Sequence, residues 1–141
     1  MAERTPLRLL AEDKDDLAVL SAALQDAIAR VGDIEFDARG RRLTIGFNRF
    51  RWEGDKRQRV RAGLQVSGVL SLKARRIRRD RLDAVISLLS IAFEPNEPPG
   101  GVLTLTFAGG GDLRAEVECL DLMLADVSDP WPTPRAPDHQ A

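Results

Sequence analysis

Two halves of the sequence carry similar residue patterns in the same order, and this similarity limits the possible folds more than any other feature. The matched pairs are DAIARVGDIEF at 26–36 with DAVISLLSIAF at 83–93, LTIGF at 43–47 with LTLTF at 103–107, and VRAGLQV at 60–66 with LRAEVEC at 113–119. The similarity predicts an internal duplication into two units, about 7–68 and 69–127. A unit of this size buries little apolar surface alone, so the two units should share one core.

Each unit is predicted to contain a strand, a helix and three further strands. Leu17, Leu20 and Leu24 recur at spacings of three and four, which predicts a buried helical stripe that begins after EDKDD and ends near Gly32. In the second unit, Arg79–Ser90 is predicted to be helical because of a similar stripe, formed by Leu82, Val85, Ile86 and Leu89. Alternating apolar residues predict the strands, most clearly at Val60, Ala62, Leu64 and Val66.

The fold class expected from these elements is α+β, with a mainly antiparallel sheet covered by two helices. Residues 1–127 form one domain in this interpretation, and the pattern leaves open whether the sheet closes into a partial barrel. Residues 128–141 contain four of the eight prolines and are predicted to be an extended or disordered tail that cannot pair into a sheet. Trp131 is expected to fold back onto the domain, and the alternative is that it belongs to a recognition motif.

The glycine run in FAGGGDLRAEVE, residues 107–118, allows two interpretations, a phosphate-binding loop or a tight turn. A phosphate loop needs a following helix and usually a Lys with Ser or Thr, whereas Leu113, Ala115 and Val117 alternate as in a strand. The sequence therefore predicts a hairpin turn whose glycines adopt positive φ.

The charges are strongly segregated, although the net charge of the 141 residues is only −1. Residues 39–81 contain 15 Lys and Arg and three acids, a net of +12, while the remainder contains six bases and 19 acids, a net of −13. Such segregation bears on partners more than on fold. A single cysteine, no secretory signal and no apolar run of spanning length favour a cytoplasmic protein without a membrane segment.

The hairpin NRFRWEGDKRQR, residues 48–59, is the main candidate site. Leu43, Ile45 and Phe47 are apolar at odd positions, but the next aromatic residues are at even positions, so either a bulge resets the register or the strand extends past the core. The predicted partner-binding residues are Arg49, Phe50, Arg51, Trp52, Lys56, Arg57, Arg59 and Arg61. The structural alternative is that the two rings belong to the core and the arginines are solvated or paired.

Three functions are compatible with this hairpin. The leading hypothesis is a non-enzymatic interaction module that contacts an acidic protein surface or a second copy of the chain, as a homodimer, because Arg and Trp are favoured anchors. The alternative is binding of single-stranded nucleic acid, which also suits interleaved cations and rings, although the net charge of the chain weakens this hypothesis.

The basic stretch KARRIRRDR at 73–81 is a solvated connection or an extension of the same patch.

A small enzyme that uses Asp, Glu and Arg is the third possibility, and its candidate residues are few. His139 is the only histidine and lies in the tail, and Cys119 is predicted to be a small core residue. Glu116 and Glu118 share a strand face and are more simply a solvated stripe than an acid–base pair. We predict no catalytic residues, no metal site and no cofactor.

Several segments together resemble a bacterial family of uncharacterised proteins, domain of unknown function two-nine-four-eight. The segments are LAVLSAALQDA, VGDIEF, NRFRWE, FEP and LTFAGGGDLRAEVEC. The resemblance extends to about Trp131 and implies a small, single-domain bacterial protein. It implies no activity, cofactor or site residues.

Overall fold

The computed structural model, which describes residues 6–134 and residue 137, contains eleven strands and one α-helix in the described part of the chain. All the strand pairs are antiparallel, and the main path of the sheet runs β1-β10-β5-β4-β2-β7-β8-β9-β6, with β3 paired to β4 and β11 paired to β5. The elements are β1 (Arg8–Ala11), α1 (Lys14–Ala23), β2 (Ile28–Arg30), a 3₁₀ turn (Val31–Asp33), β3 (Ile34–Asp37), β4 (Arg42–Phe50), β5 (Gln58–Ser67), β6 (Val69–Arg75), β7 (Val85–Pro95), β8 (Gly101–Phe107), β9 (Asp112–Val117), β10 (Leu122–Asp126) and β11 (Trp131–Pro132).

The helix α1 begins where the sequence predicts it and ends earlier. The Asp13 side chain accepts a hydrogen bond from the backbone N–H of Asp16, at 2.8 Å, and so caps the first turn. Leu17 and Leu20 are buried against the core, as predicted. The helix ends at Ala23 rather than near Gly32, because Asp26 takes a positive φ of 62° and its N–H bonds to the carbonyl of Leu88 in β7.

The prediction of an α+β fold with two covering helices is wrong. The segment expected to form the second helix becomes a turn followed by β7, so the second half lacks the helix of the proposed repeat. Leu82, Val85 and Leu89, three members of the predicted stripe, are exposed, whereas Leu88 and Ile91 are buried. The helical spacing in this segment is therefore coincidental, and pairing with β2 and β8 decides the conformation.

The short strand β2 joins the two halves of the sheet. Ile28 pairs with Asn48 of β4 on one side and with Ser87 of β7 on the other. One hydrophobic cluster contains residues from both halves, and it includes Phe47 and Phe107. The two halves therefore share one core, to which α1 contributes Leu17 and Leu20.

The ladders of the two halves agree in part with the sequence match. Phe36 pairs with Leu43 as Phe93 pairs with Leu103, which is the correspondence expected from the sequence. In the next ladder, Leu113 is opposite Leu105 as Leu64 is opposite Ile45, so Leu113 corresponds to Leu64 and not to Val60. The duplication itself stays a hypothesis.

The glycine run forms the predicted hairpin turn between β8 and β9. Gly109 and Gly110 have φ values of 91° and 98°, and the N–H of Phe107 bonds to the carbonyl of Gly111 at 2.9 Å. A Cβ atom at Gly111 would lie 2.9 Å from the carbonyl oxygen of Arg76. The positive φ values of Gly109 and Gly110 and the lack of space for a side chain at Gly111 therefore explain why glycine occupies these positions. No role in phosphate binding is needed to explain them.

The sheet does not close into a barrel. Strands β1 and β6 are at its two ends, and each has one partner among the described residues, β10 for β1 and β9 for β6. Strand β3 likewise pairs only with β4 in the described part of the chain. We call the gap between β3 and β6 the seam.

Candidate functional site

Strand β4 continues past the core without a bulge, which answers the question raised by its pattern of alternation. The pairing of β4 with β5 keeps one register from Arg42 opposite Ser67 to Phe50 opposite Arg59. Successive side chains of a strand point to opposite faces. Phe47 therefore faces the core and Phe50 the outer face, while Arg49 is left in an inward position.

Arg49 is fully buried and is paired with two carboxylates. Its Nε and Nη2 atoms donate to Oδ1 and Oδ2 of Asp126, both at 2.9 Å. Its Nη1 and Nη2 atoms donate to Oε1 and Oε2 of Glu53, at 3.0 and 2.7 Å, and Nη1 also donates to the carbonyl of Phe50. Asp126 is almost completely buried and also accepts from the N–H of Leu7 at 2.9 Å. We call Arg49, Glu53 and Asp126 the ion-pair cluster.

The surroundings of Arg49 and Glu53 favour their charged forms. Burial alone would lower the pKa of Arg49, but the hydrogen bonds to Glu53 and Asp126 outweigh burial, and the pKa is raised. Burial would likewise raise the pKa of Glu53, but the hydrogen bond from Arg49 outweighs it, and the pKa is lowered. Both shifts favour the charged forms of Arg49 and Glu53, so these two groups are not suited to acid–base chemistry near neutral pH. The cluster instead ties β4 and β10 to the residue that precedes β1.

The two rings of the hairpin have different environments. Phe50 is buried, with 6% of its surface exposed, whereas Trp52 is 39% exposed. Their ring centroids are 4.7 Å apart in an edge-to-face arrangement with an interplanar angle of 61°. The Trp52 Nε1 atom donates to the carbonyl oxygen of Gln25 at 3.3 Å. Trp52 is thus held from two sides and still presents part of its ring to solvent.

Two of the predicted arginines are held mainly by neighbours. Only 13% of the Arg51 side chain is exposed, and it donates to Gln58 Oε1 at 2.5 Å. Arg61 lies 3.3 Å from Asp33 Oδ1 and donates to Asn48 Oδ1 at 3.2 Å, and its side chain is 34% exposed. With Arg49 and Phe50, which have almost no accessible surface, they are better suited to supporting the hairpin than to contacting a partner.

Three of the predicted cations remain close to the surface. Lys56 and Arg57 are exposed, and Nη1 of Arg57 donates to the carbonyl oxygen of Pro134 at 3.3 Å. Arg59 is half-buried and donates to the carbonyl oxygen of Asn48 at 3.2 Å. Burial lowers the pKa of Arg59, which indicates that its charge is only partly compensated.

Sequence reasoning missed the contribution of the tail. The expectation that the tail cannot pair is wrong at β11, where Trp131 lies opposite Arg59 of β5. Proline lacks an N–H group, but Thr133 has one and donates to the carbonyl of Arg57 at 3.0 Å. Trp131 folds back onto the domain, as expected, because it pairs with β5, and 37% of its surface stays exposed.

These residues form one surface on the outer side of the sheet. Trp131, Arg59 and Phe50 occupy neighbouring positions on β11, β5 and β4, and Trp52 packs on Phe50 at the end of this row. The only signal in the sequence was a second tryptophan in a proline-rich segment. We call the following residues the Trp surface: Trp52, Lys56, Arg57, Arg59 and Trp131.

The residues considered for catalysis do not converge. Cys119 is exposed rather than buried, because β9 ends at Val117 and Leu120 takes the next buried position. Glu118 pairs with Arg41 at 3.3 Å, while the prediction on His139 lies outside the described residues. In the described part of the chain, no helix has both the length and the apolar character needed to cross a membrane.

Comparison with known proteins gives one match. A family model described as a protein of unknown function, DUF2948, matches residues 7–139, which confirms the resemblance seen in the sequence. No curated protein and no solved structure matches the chain.

Proposed function

The chain belongs to the DUF2948 family of proteins of unknown function, and we propose that it is a bacterial, cytoplasmic, non-enzymatic module that binds another protein. Its contact is the Trp surface, and its partner is an acidic protein surface or a second copy of the chain. One observation carries the proposal. A partly exposed tryptophan is fixed in position in a hairpin that also carries two exposed cations.

The fixed position of Trp52 favours binding. Its contact with Phe50 and its bond to Gln25 restrict the side chain before any partner arrives. Ordering a mobile side chain on binding costs about 0.5–1.5 kcal/mol, and a preorganised ring avoids most of this cost. Trp and Arg are also enriched among the residues whose truncation costs about 2 kcal/mol or more in binding.

The charge of the surface indicates the kind of partner. Lys56 and Arg57 lie within residues 39–81, the segment with a net charge of +12. Charged residues at an interface mainly accelerate association and select partners of opposite charge. A second copy satisfies this condition because the remainder of the chain has a net charge of −13.

Single-stranded nucleic acid is the second candidate, and the row of Trp131, Arg59 and Trp52 is the observation that favours it. Two half-exposed rings on a sheet face offer stacking positions for bases. The proposal favours protein because Arg49, Arg51 and Arg61 are committed to neighbouring groups, which leaves few cations for phosphates.

Photo-crosslinking in the native cells tests the proposal. A photoreactive amino acid at Asp55, an exposed residue of the same hairpin, leaves the Trp surface intact, and the same group at Val19 on α1 is the control. We expect a discrete protein adduct from Asp55 and none of the same mass from Val19. The adduct should disappear in Trp52→Ala and in the double variant Lys56→Glu, Arg57→Glu.

The mass and composition of the adduct decide between the candidates. An adduct of twice the chain's mass identifies a second copy, and any other protein adduct identifies a separate partner. A nuclease-sensitive adduct would support nucleic acid in place of protein. No adduct, or one that survives the substitutions, would contradict the proposal.

A further inference from the structure

Among the described residues, no strand pairs with the edge of β6 that faces the seam. Within the described residues, one backbone hydrogen bond joins the β3–β4 turn to β6. It runs from the N–H of Val69 to the carbonyl of Arg41, at 2.9 Å. At the other end, residues 76–84 lie across the gap, because Gly32 donates to the carbonyl of Leu82 at 2.9 Å. Between these two points, the backbone groups on this edge of β6 have no strand partner in the part of the chain that the structure describes, and such groups are a template for an added strand.

An apolar cavity of about 200 Å³ opens in the seam. Its walls come from β3, β6, β9 and the segment between β6 and β7, and the lining residues that matter here are Ile34, Leu72, Ala74, Ile77 and Leu82. Leu82, which lines this cavity, is 65% exposed. The seam therefore combines an apolar cavity with an exposed apolar side chain at its rim.

The rim is also strongly basic. Residues 73–81 contain six Lys and Arg and one acid, Asp80. The ion pairs of this segment, within the described residues, join Arg75 to Asp112 at 2.7 Å and Arg81 to Asp83 at 3.7 Å. Arg78 and Arg79 are exposed, and Arg79 lines the cavity. This segment is thus a second basic surface on the seam, formed by elements other than those of the Trp surface.

We propose that the seam binds an extended segment of another protein, rich in acidic and apolar residues, as an additional strand on β6. The backbone of the segment pairs with the free edge of β6, an apolar side chain enters the cavity, and carboxylates meet Arg78 and Arg79. Main-chain pairing with a pocket for alternate side chains is an established mode of peptide recognition. This site goes beyond the Trp surface and does not depend on it.

Two features of β6 argue against a second copy as the occupant. The register of β6 against β9 shifts between Val69 and Ser71, and Lys73 is exposed on the strand. A bulge and an edge lysine deter pairing between two identical edges. A strand of opposite charge is not deterred by the lysine, and residues 71–75 keep a regular register for it.

Titration with a defined peptide tests the inference. The probe is a capped peptide of about eight residues that alternates glutamate and valine, a strand of ordinary length. The control peptide has lysine in place of glutamate. We expect the acidic peptide to bind the full chain at low salt, to shift the backbone amide resonances of Leu72 and Ala74, and to bind more weakly as salt is added. The lysine peptide should not bind.

Substitutions locate the binding site. Leu82→Glu and Arg79→Glu should each weaken binding at least about tenfold, which corresponds to about 1.4 kcal/mol. Both residues are exposed, so the fold should tolerate the changes. Val127→Glu, at a residue that is 68% exposed elsewhere, and Arg8→Glu are the matched controls and should leave affinity unchanged. Methylation of alternate peptide nitrogens should abolish binding, because it removes the backbone donors.

Each contrary result overturns the inference in a distinct way. No binding at low salt, equal binding of the methylated peptide, or equal binding to Leu82→Glu would exclude strand addition at the seam. If Trp52→Ala abolishes binding and Leu82→Glu does not, the peptide sits on the Trp surface, so the proposed function survives and the seam inference fails. An oligothymidylate that competes with the peptide at the same resonances and responds only to Arg79→Glu would assign the seam to nucleic acid.

Discussion

Replacement of Arg49 by methionine tests whether the ion-pair cluster stabilises the fold. Methionine keeps most of the aliphatic stem and removes the guanidinium. Asp126, whose side chain is 3% exposed, then loses two hydrogen bonds and, among the described residues, keeps the one from the N–H of Leu7. Glu53 is 37% exposed and can turn towards water, so its loss costs less.

The expected destabilisation is about 3 kcal/mol. Removal of one partner from a buried ion pair costs about 3–5 kcal/mol, and the remaining bond from Leu7 places Asp126 at the lower end. A domain with a free energy of unfolding of about 5–15 kcal/mol survives this loss, so the variant should fold and be measurable.

Urea denaturation near neutral pH measures the effect, and a double-mutant cycle assigns it. Asp126→Asn removes the negative charge and keeps an oxygen for the Leu7 N–H. In that background Arg49→Met should cost about 2 kcal/mol less than in the natural chain. Arg114→Met is the control, because Arg114 is 52% exposed and 3.9 Å from Asp112, and it should change stability by less than about 0.5 kcal/mol. A loss below about 1 kcal/mol for Arg49→Met, or full additivity with Asp126→Asn, would refute the reasoning.

Three further predictions follow from the burial and geometry of single residues. Because the pKa of Glu53 is lowered in the folded state, its contribution is present at neutral pH and is lost as pH falls through that pKa. Glu53→Gln should therefore cost about 1 kcal/mol or less at pH 7, and the difference should shrink as urea titrations are repeated at increasingly acidic pH. Gly63→Ala should stabilise the fold by about 0.5 kcal/mol, because a Cβ there meets nothing within 4 Å. Gly101→Ala should destabilise it by more than about 2 kcal/mol, because the Cβ would lie 2.5 Å from the Glu94 carbonyl oxygen. Equal melting temperatures for the two variants would contradict both expectations. Cys119 should react with a thiol reagent in the native protein at a rate close to that of the unfolded chain, and protection in the native state would contradict its exposure.

Local patterns in the sequence predicted the elements whose conformation depends on nearby residues. The start of α1 follows from the cap at Asp13 and from Leu17 and Leu20, all within one or two turns of helix. The glycine hairpin follows from the alternation that begins at Leu113. In both places, propensity, capping and burial favour the same conformation, which makes the prediction secure.

The second helix was mispredicted because an apolar run of this length fits both periods. Leu82, Val85 and Leu89 have helical spacing, but β-branched residues and the neighbouring strands β2 and β8 favour a strand. The deciding contact, from the N–H of Asp26 to the carbonyl of Leu88, joins residues far apart in the chain. No local pattern contains that contact.

The sequence indicated which hairpin to consider as the candidate site, but not which of its residues are buried and which are exposed. The sequence identified the hairpin and the change in alternation at Phe50, but it gave no reason to separate Arg49 from the exposed cations. Asp126, which pairs with the buried Arg49, lies 77 residues away in the chain. Trp131, the second tryptophan of the Trp surface, comes from a tail whose prolines predicted that it would not pair into the sheet. Both contacts form because β10 and β11 pair with β5.

The pairing of β1 with β10 has a consequence for how the protein is made. Leu9 pairs with Leu124, so more than 100 residues separate the two strands along the chain. Contacts between residues so far apart form late, because the entropy of closing the intervening loop opposes them. During synthesis β1 therefore leaves the ribosome well before β10 and stays without this partner until β10 has followed.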